Sequence, residues 1–291
     1  MSKLFFTRLL MLTTFFISSV SLAQTSIWKV SKGDDYFYLG GTIHMLSASD
    51  HPLPSQYAEA YKASNSIIFE TDLDATTDPQ FQAKMMQMIS YQDGRTLDSE
   101  LTEETYKRLK AFTDSREIPL DMFKTLKPWG VTLMITVLEY QRLGMMPTYG
   151  IDNYFNVLAK QDGKKIGGLE TPEEQLGFLS SMGTIEPNKS VNYTLRDLER
   201  LPEFIESMKQ TWRSGELEKF SEHAFIEEMK TEYPAVYNAL LKTRNNNWIA
   251  PLQALSNNGD TEFVLVGAMH IPGEDGLLTL LKAKGYTLEQ L

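Results

Sequence analysis

Phe263-Val264-Leu265-Val266-Gly267-Ala268-Met269-His270 is the stretch on which the fold of this chain turns. Four apolar residues stand in a row without alternation. An unbroken run of this length reads as a strand buried on both faces, the habit of parallel sheets covered by helices. The run breaks at glycine and delivers an imidazole three residues later. Near the other end the chain repeats the device in Tyr38-Leu39-Gly40-Gly41-Thr42-Ile43-His44, again an apolar run followed by Gly-x-x-His. Two of the chain's four histidines therefore follow strand and glycine. In α/β sheets that is where the ligand crevice lies, beyond the carboxyl ends of the strands.

Working outward, four short apolar runs read as strands, each leading to a polar residue. Residues 35–40 lead to His44, 66–69 to Glu70, 165–169 to Glu170 and 262–266 to His270. Helical patterns separate them. The expectation is an α/β fold whose mainly parallel or mixed central sheet is formed by both ends of the chain, with a large helical insertion. The core covers about 27–75, 162–172 and 260–291, and the helices about 76–161 and 173–256. Residues 129–143 are apolar almost all round and are entered through Pro128, which predicts a buried central helix. Thr171-Pro172-Glu173-Glu174 supplies an N-cap, a first-turn proline and a capping-box glutamate, so Glu170 sits at a strand-to-helix turn. The methionines at 85, 86, 88, 145 and 146 read as adaptable core rather than as a groove.

The first residues read as a signal peptide over 1–23. Lys3 and Arg8 give the positive segment, 9–20 the apolar core, and Ser21-Leu22-Ala23 a small-x-small site for cleavage before Gln24. This predicts a secreted protein, periplasmic in a Gram-negative host. Losing Lys3 and Arg8 makes the net charge of −10 more negative by two. An acidic chain without Lys/Arg clusters argues against nucleic acid or anionic lipid as partner. No later stretch approaches about twenty apolar residues, so no stable membrane insertion is expected. The chain has no cysteine. Disulfides, a thiol nucleophile and thiolate ligands are excluded, and any metal site must use His, Asp, Glu or Asn, which suits hydrolytic or Lewis-acid chemistry.

Glu70 directly follows Ile67-Ile68-Phe69, and a carboxylate so desolvated either rises in pKa or demands a cation. An N-cap or salt-bridge role is the alternative, and Asp72 suits that role better. Glu170 lies beside a helix N-terminus, whose dipole alone would favour its charge. Arg244 and Asn245 open a polar run; the arginine either clamps a carboxylate or oxyanion or ends a solvated helix. His51 and His223 lack the strand-glycine context and read as surface residues. Two imidazoles and one carboxylate leave coordination positions open for water and substrate, as a hydrolytic metal requires.

These pieces resemble the TraB/GumN family, which is related to the Wnt-cleaving TIKI metalloproteases and more distantly to the erythromycin esterase and ChaN group. The resemblance rests on both Gly-x-x-His segments, Pro52-Leu53-Pro54, Ile68-Phe69-Glu70-Thr71-Asp72, Lys127-Pro128-Trp129, Gly150-Ile151-Asp152, Gly168-Leu169-Glu170-Thr171-Pro172-Glu173-Glu174-Gln175 and Arg244-Asn245. It implies a split α/β core with a helical insertion and a metal-dependent, peptidase-like hydrolase acting on a peptide or protein substrate. His44, Glu70 and His270 would hold the metal (manganese, cobalt or zinc), with Glu170, Arg244 and Asn245 as further site residues. It also allows a non-catalytic protein that binds metal, haem or peptide, or an esterase-like hydrolase. The doubled glycine departs from the family pattern: the motif needs only Gly41, and Gly40 is expected merely to loosen the turn.

Overall fold

A computed structural model describes residues 24–221, 224–255 and 258–291. Residues 1–23, expected to be a signal peptide, and His223 lie outside the described residues. The chain builds one six-stranded sheet in the order β4-β3-β5-β2-β1-β6, from β1 (Ile27–Lys32), β2 (Asp35–Thr42), β3 (Ser66–Phe69), β4 (Lys165–Gly168), β5 (Glu262–Gly267) and β6 (Thr287–Gln290). β4, β3, β5 and β2 run parallel. β1 pairs antiparallel with both β2 and β6, so the sheet is mixed.

The four runs expected as strands are strands. β5 is buried at every position, as its unbroken apolar sequence requires. β1 and β6 are additions: β1 buries Ile27, Trp28 and Val30 and leaves its lysines and serine less covered, and β6 is a short edge strand of polar sequence. The remaining described chain is mostly helical. The Pro128–Arg142 helix buries Trp129, Val131, Thr132 and Ile135 and exposes little of its other faces, matching its all-round apolar sequence. In the Pro79–Ile89 helix Met88 packs against the core and Met85 is partly buried, whereas Met86 departs from the expectation and is exposed. Met145 is core and Met146 is partly exposed. Among the described residues no helix is long and apolar enough to cross a membrane.

Gly40 does not loosen a turn, because it lies inside β2 at the centre of the sheet. A Cβ there would stand 2.9 Å from both the Leu265 and the Phe263 side chains of β5. Since both are fully buried, neither yields freely. Gly40→Ala is therefore expected to destabilise the fold by about 1–3 kcal/mol, read from the midpoint of urea unfolding. Wild-type stability in this variant would show that β2 and β5 can part at no cost.

Candidate active site

Because β4, β3, β5 and β2 are parallel neighbours, the residues after their carboxyl ends line one edge of the sheet in the order Glu170, Glu70, His270, His44. Each is placed by local chemistry. β2 is pinned before His44, where the buried Gly41 carbonyl accepts hydrogen bonds from Trp212 Nε1 (2.9 Å) and from the Tyr57 hydroxyl. The loop beyond it rests on the helix Ile151–Asp162, with Ile151 N–H donating to the Ile43 carbonyl. Only glycine fits at position 150, since a Cβ there would lie 2.0 Å from the His44 carbonyl oxygen. Glu170 is tied to Glu70 through the backbone, its N–H donating to the Glu70 carbonyl at 2.9 Å. The capping box of Thr171 and Glu174 starts the next helix immediately afterwards.

Arg244, Asn245 and Trp248 share the buried face of helix Arg244–Leu255. Arg244 is no solvated helix end. Its guanidinium forks onto both oxygens of Glu170, donates from Nη2 to Glu70 Oε2 at 2.6 Å, and faces His270 Nε2 from Nη1 at 3.1 Å. Trp248 donates to Glu170 at 3.0 Å and packs its ring 4.5 Å from that of His270. Asn245 donates to the carbonyls of His270 and Asp275, which turns its Oδ1 onto His270 Nδ1 at 2.7 Å. That contact puts the His270 proton on Nδ1 and leaves Nε2 as a lone pair.

The other imidazole is set in the same way. Asp152 accepts from Thr42 on one oxygen (2.9 Å) and meets His44 Nδ1 with the other (2.8 Å). His44 Nε2 is thereby turned toward Gly267, where a Cβ would lie 3.5 Å from it, 3.5 Å from the His270 ring and 3.2 Å from Glu70 Oε1. Glu70 Oε1, His44 Nε2 and the Cδ2 edge of the His270 ring border the space beside Gly267, which only a missing side chain keeps clear. Glu70 Oε1 also accepts from the Gly267 N–H at 2.7 Å.

Charge follows from these contacts. Burial alone would raise Glu70, but His270, which becomes positive only in strong acid, together with the Arg244 and His44 cations and the Gly267 N–H, outweighs it and holds it near 2. Burial drives His270 down to about 3, so its ring is neutral. The Asp152 carboxylate lifts His44 to about 9. Glu170 is raised, because its desolvation outweighs its bonds to Arg244 and Trp248. In chelator-treated protein, proton NMR is expected to show His44 titrating far above the ordinary value of about 6.5 and His270 remaining neutral down to mild acid. Asp152→Asn should bring His44 back toward 6.5. The His44–Asp152 pair therefore contributes stability that is fully present below about pH 6.5 and lost as pH rises through about 9. A His44 that titrates at its ordinary value in the unchanged chain would refute the pairing.

The donor chemistry suits a divalent ion. Each Nδ1 is held from behind by Asp152 or Asn245, the arrangement that orients metal-binding imidazoles; His270 Nε2 carries a lone pair that faces Arg244, and His44 Nε2 offers one once its proton is displaced. Glu70 Oε1 and His270 Nε2 are 3.8 Å apart. Two bonds of about 2.1 Å to one ion span at most about 4.2 Å. Among the described residues no three His, Asp or Glu side chains close on one point, and Arg244 supplies the positive charge that Glu70 and His270 share. His44 is the open side of the group, its side chain 62% exposed while those of Glu70 and His270 are buried.

All six residues expected at the site are thus brought to one place, with Glu170 serving mainly to hold Arg244. Asp152, Gln175 and Trp248 join them without having been singled out. Gln175 Nε2 lies 3.4 Å from Glu70 Oε2. Asp152 stood in Gly150-Ile151-Asp152, and an acid in the first turn of a helix reads as a dipole partner, so only contact with His44 reveals its role. His51, expected at the surface, is half-buried, its Nε2 2.9 Å from the Tyr149 carbonyl.

The chain is 26% identical over 253 positions to the uncharacterized protein YbaP of Escherichia coli (strain K12), covering 86% of this chain and 89% of that one. It is 24% identical over 319 positions to the metalloprotease TIKI2 of Danio rerio, covering 90% of this chain but 60% of the relative. A TIKI homolog of Nematostella vectensis is 23% identical over 90% of this chain and 66% of its own length. No solved structure matches. Residues 26–290 match the TraB/PrgY/gumN family, and the chain belongs to that family.

Proposed function

We propose that this protein is an exported, metal-dependent hydrolase acting on peptides. The observation that carries the reading is the convergence of His44 Nε2, Glu70 Oε1 and the His270 ring around Gly267, with both imidazoles oriented by their Nδ1 partners. The similarity to metalloproteases of the TIKI group supports it. His44, Glu70 and His270 would hold manganese, cobalt or zinc. When bound, such an ion polarises a carbonyl and lowers the pKa of water.

The chain's own residues do the rest. Asp152 and Asn245 keep the Nε2 edges of the two imidazoles aimed inward. Glu170 and Trp248 fix Arg244, whose Nη1 and Nη2 lie beside His270 and Glu70. A guanidinium so anchored is placed to meet negative charge developing on a substrate oxygen. The exposed side of His44 is the side open to substrate. The leader at 1–23 would carry the protein to the periplasm.

The test is cleavage of a diverse peptide library by purified protein with manganese, cobalt or zinc, paired with elemental analysis of the wild type and of His44→Ala. Expected are chelator-sensitive cleavage and a stoichiometric ion that the variant loses. No cleavage with any of the three ions removes the main support for this reading. Arg244, a fixed cation beside two candidate ligands, also favours a second reading as an esterase-like hydrolase, and activated esters assayed in parallel separate the two.

A further inference from the structure

Arg244 spreads one guanidinium over two carboxylates, an imidazole and a backbone carbonyl. Nε donates to both oxygens of Glu170 at 3.1 Å, and Nη2 reaches Glu70 and Glu170 at 2.6 Å each. Nη1 lies 3.1 Å from His270 Nε2 and 3.3 Å from the Leu240 carbonyl oxygen. The Trp248 ring packs against the same group, its centroid 4.8 Å from the guanidinium carbon. Leu240 belongs to the π-helical segment Asn238–Thr243, which runs directly into Arg244. Wide turns of this kind recur at functional sites.

These contacts differ in what they leave open. A carboxylate has several acceptor positions, so Glu70 can keep Arg244 and still serve as a ligand. His270 cannot. Its proton lies on Nδ1, held by Asn245 Oδ1 at 2.7 Å, and the single lone pair on Nε2 faces the Arg244 N–H. A nitrogen with one lone pair accepts that hydrogen bond or binds an ion, and does not do both. Among the described residues no three His, Asp or Glu side chains close on one point, and the cation that touches both Glu70 and His270 is this guanidinium. Nη1 has a second acceptor in the Leu240 carbonyl. It can therefore leave His270 while Nε and Nη2 stay on Glu170.

We propose that Arg244 is a resident cation that holds the place of a divalent ion at His270, and that His270 becomes a ligand only when Nη1 withdraws toward Leu240. This rests on the reading of His44, Glu70 and His270 as ligands. Affinity for the ion is then set by how firmly the arginine holds one nitrogen. Arg244→Lys separates occupancy from charge. Lysine stays positive, but its ammonium is a single point and cannot fork onto Glu170 and reach His270 together. Calorimetric titration of zinc into chelator-stripped protein should show Arg244→Lys binding about tenfold tighter than wild type, the effect of releasing one hydrogen bond from a charged donor. Arg244→Ala combined with Glu170→Gln removes one charge of each sign and should also bind at least tenfold tighter. That pair serves should Arg244→Lys fail to fold by circular dichroism. In isotope-labelled wild type, nitrogen NMR should show zinc shifting the His270 Nε2 resonance while the Arg244 Nε–H, held by Glu170, stays protected from exchange.

Zinc that binds the variants no tighter than wild type, and is lost in His44→Ala, overturns the exchange and leaves the ligand reading standing. Zinc binding that moves no His270 resonance overturns the exchange and removes His270 from the ligands. Absence of zinc binding from wild type and variants alike overturns the exchange together with the ligand reading for that ion.

Discussion

Arg244→Ala is expected to cost about 3–5 kcal/mol of folding stability, because it strands two buried carboxylates at once. Arg244 is 7% exposed, and its Nη2 lies 2.6 Å from each of Glu70 and Glu170. In its absence Glu170 keeps only Trp248, while Glu70 keeps the Gly267 N–H and a long contact from Gln175. The loss carries a pH signature. In the intact chain Glu70, held near 2, contributes stability that is present above its unfolded pKa of about 4.3 and lost as pH falls through about 2. Without the guanidinium both carboxyls rise in pKa, so the penalty is full at neutral pH and shrinks as acid protonates them. Urea midpoints of wild type and variant should therefore converge between pH 7 and pH 4. Adding Glu70→Gln and Glu170→Gln to Arg244→Ala should recover much of the loss at neutral pH, since no unpaired charge remains. A penalty under about 1 kcal/mol at pH 7, or one that grows in acid, would show that solvent reaches these carboxylates.

Gly267→Ala is expected to abolish activity, by about 10³-fold or more, in a protein that still folds. Gly267 has φ −50° and ψ 133°, which alanine adopts without strain. Its N–H would still serve Glu70. The added methyl, however, stands 3.2 Å from Glu70 Oε1, 3.5 Å from His44 Nε2 and 3.5 Å from Cδ2 of the His270 ring, between the three side chains. The expected stability cost is at most about 2 kcal/mol, set by the single tight contact with Glu70. If His44, Glu70 and His270 hold an ion as proposed, elemental analysis should find it lost. Gly40→Ala is its counterpart, also one methyl on a glycine of the sheet, expected to act on stability with the ligand residues left in place. A Gly267→Ala variant that retains both ion and turnover would place the chemistry elsewhere.

The sequence was informative wherever a residue's role follows from its neighbours along the chain. Phe263-Val264-Leu265-Val266 is a buried parallel strand because nothing in it can face water, and the carboxyl ends of such strands lie together by topology. Glu70, Glu170, His44 and His270 were legible on that ground, as was the cap at Thr171. Asp72, favoured as a cap over Glu70, accepts from the Asp74 and Ala75 N–H groups. What stayed hidden depends on contacts across the sheet. β6, reading Thr-Leu-Glu-Gln, carries no apolar signal because it is an edge strand supported by β1 alone. Gly40 looked redundant along the chain, and only the side chains of β5 opposite it show why alanine is excluded. Whether Arg244 faced solvent or a clamp was undecided locally; burial against two carboxylates from other strands decides it.

The pairing of β2 with β5 also governs when the site comes into being. Glu70 and the Gly267 N–H that it accepts are 197 positions apart, and β5 inserts between β3 and β2. A chain made from its N-terminus holds His44 and Glu70 long before the strand that must separate and join them exists. Loop closure of that length is slow, and nothing local rewards it beforehand. The contacts among His44, Glu70 and His270 therefore need nearly the whole chain, and until β5 is made these residues are held apart from one another. Assembly of the site is thus coupled to completion of the sheet.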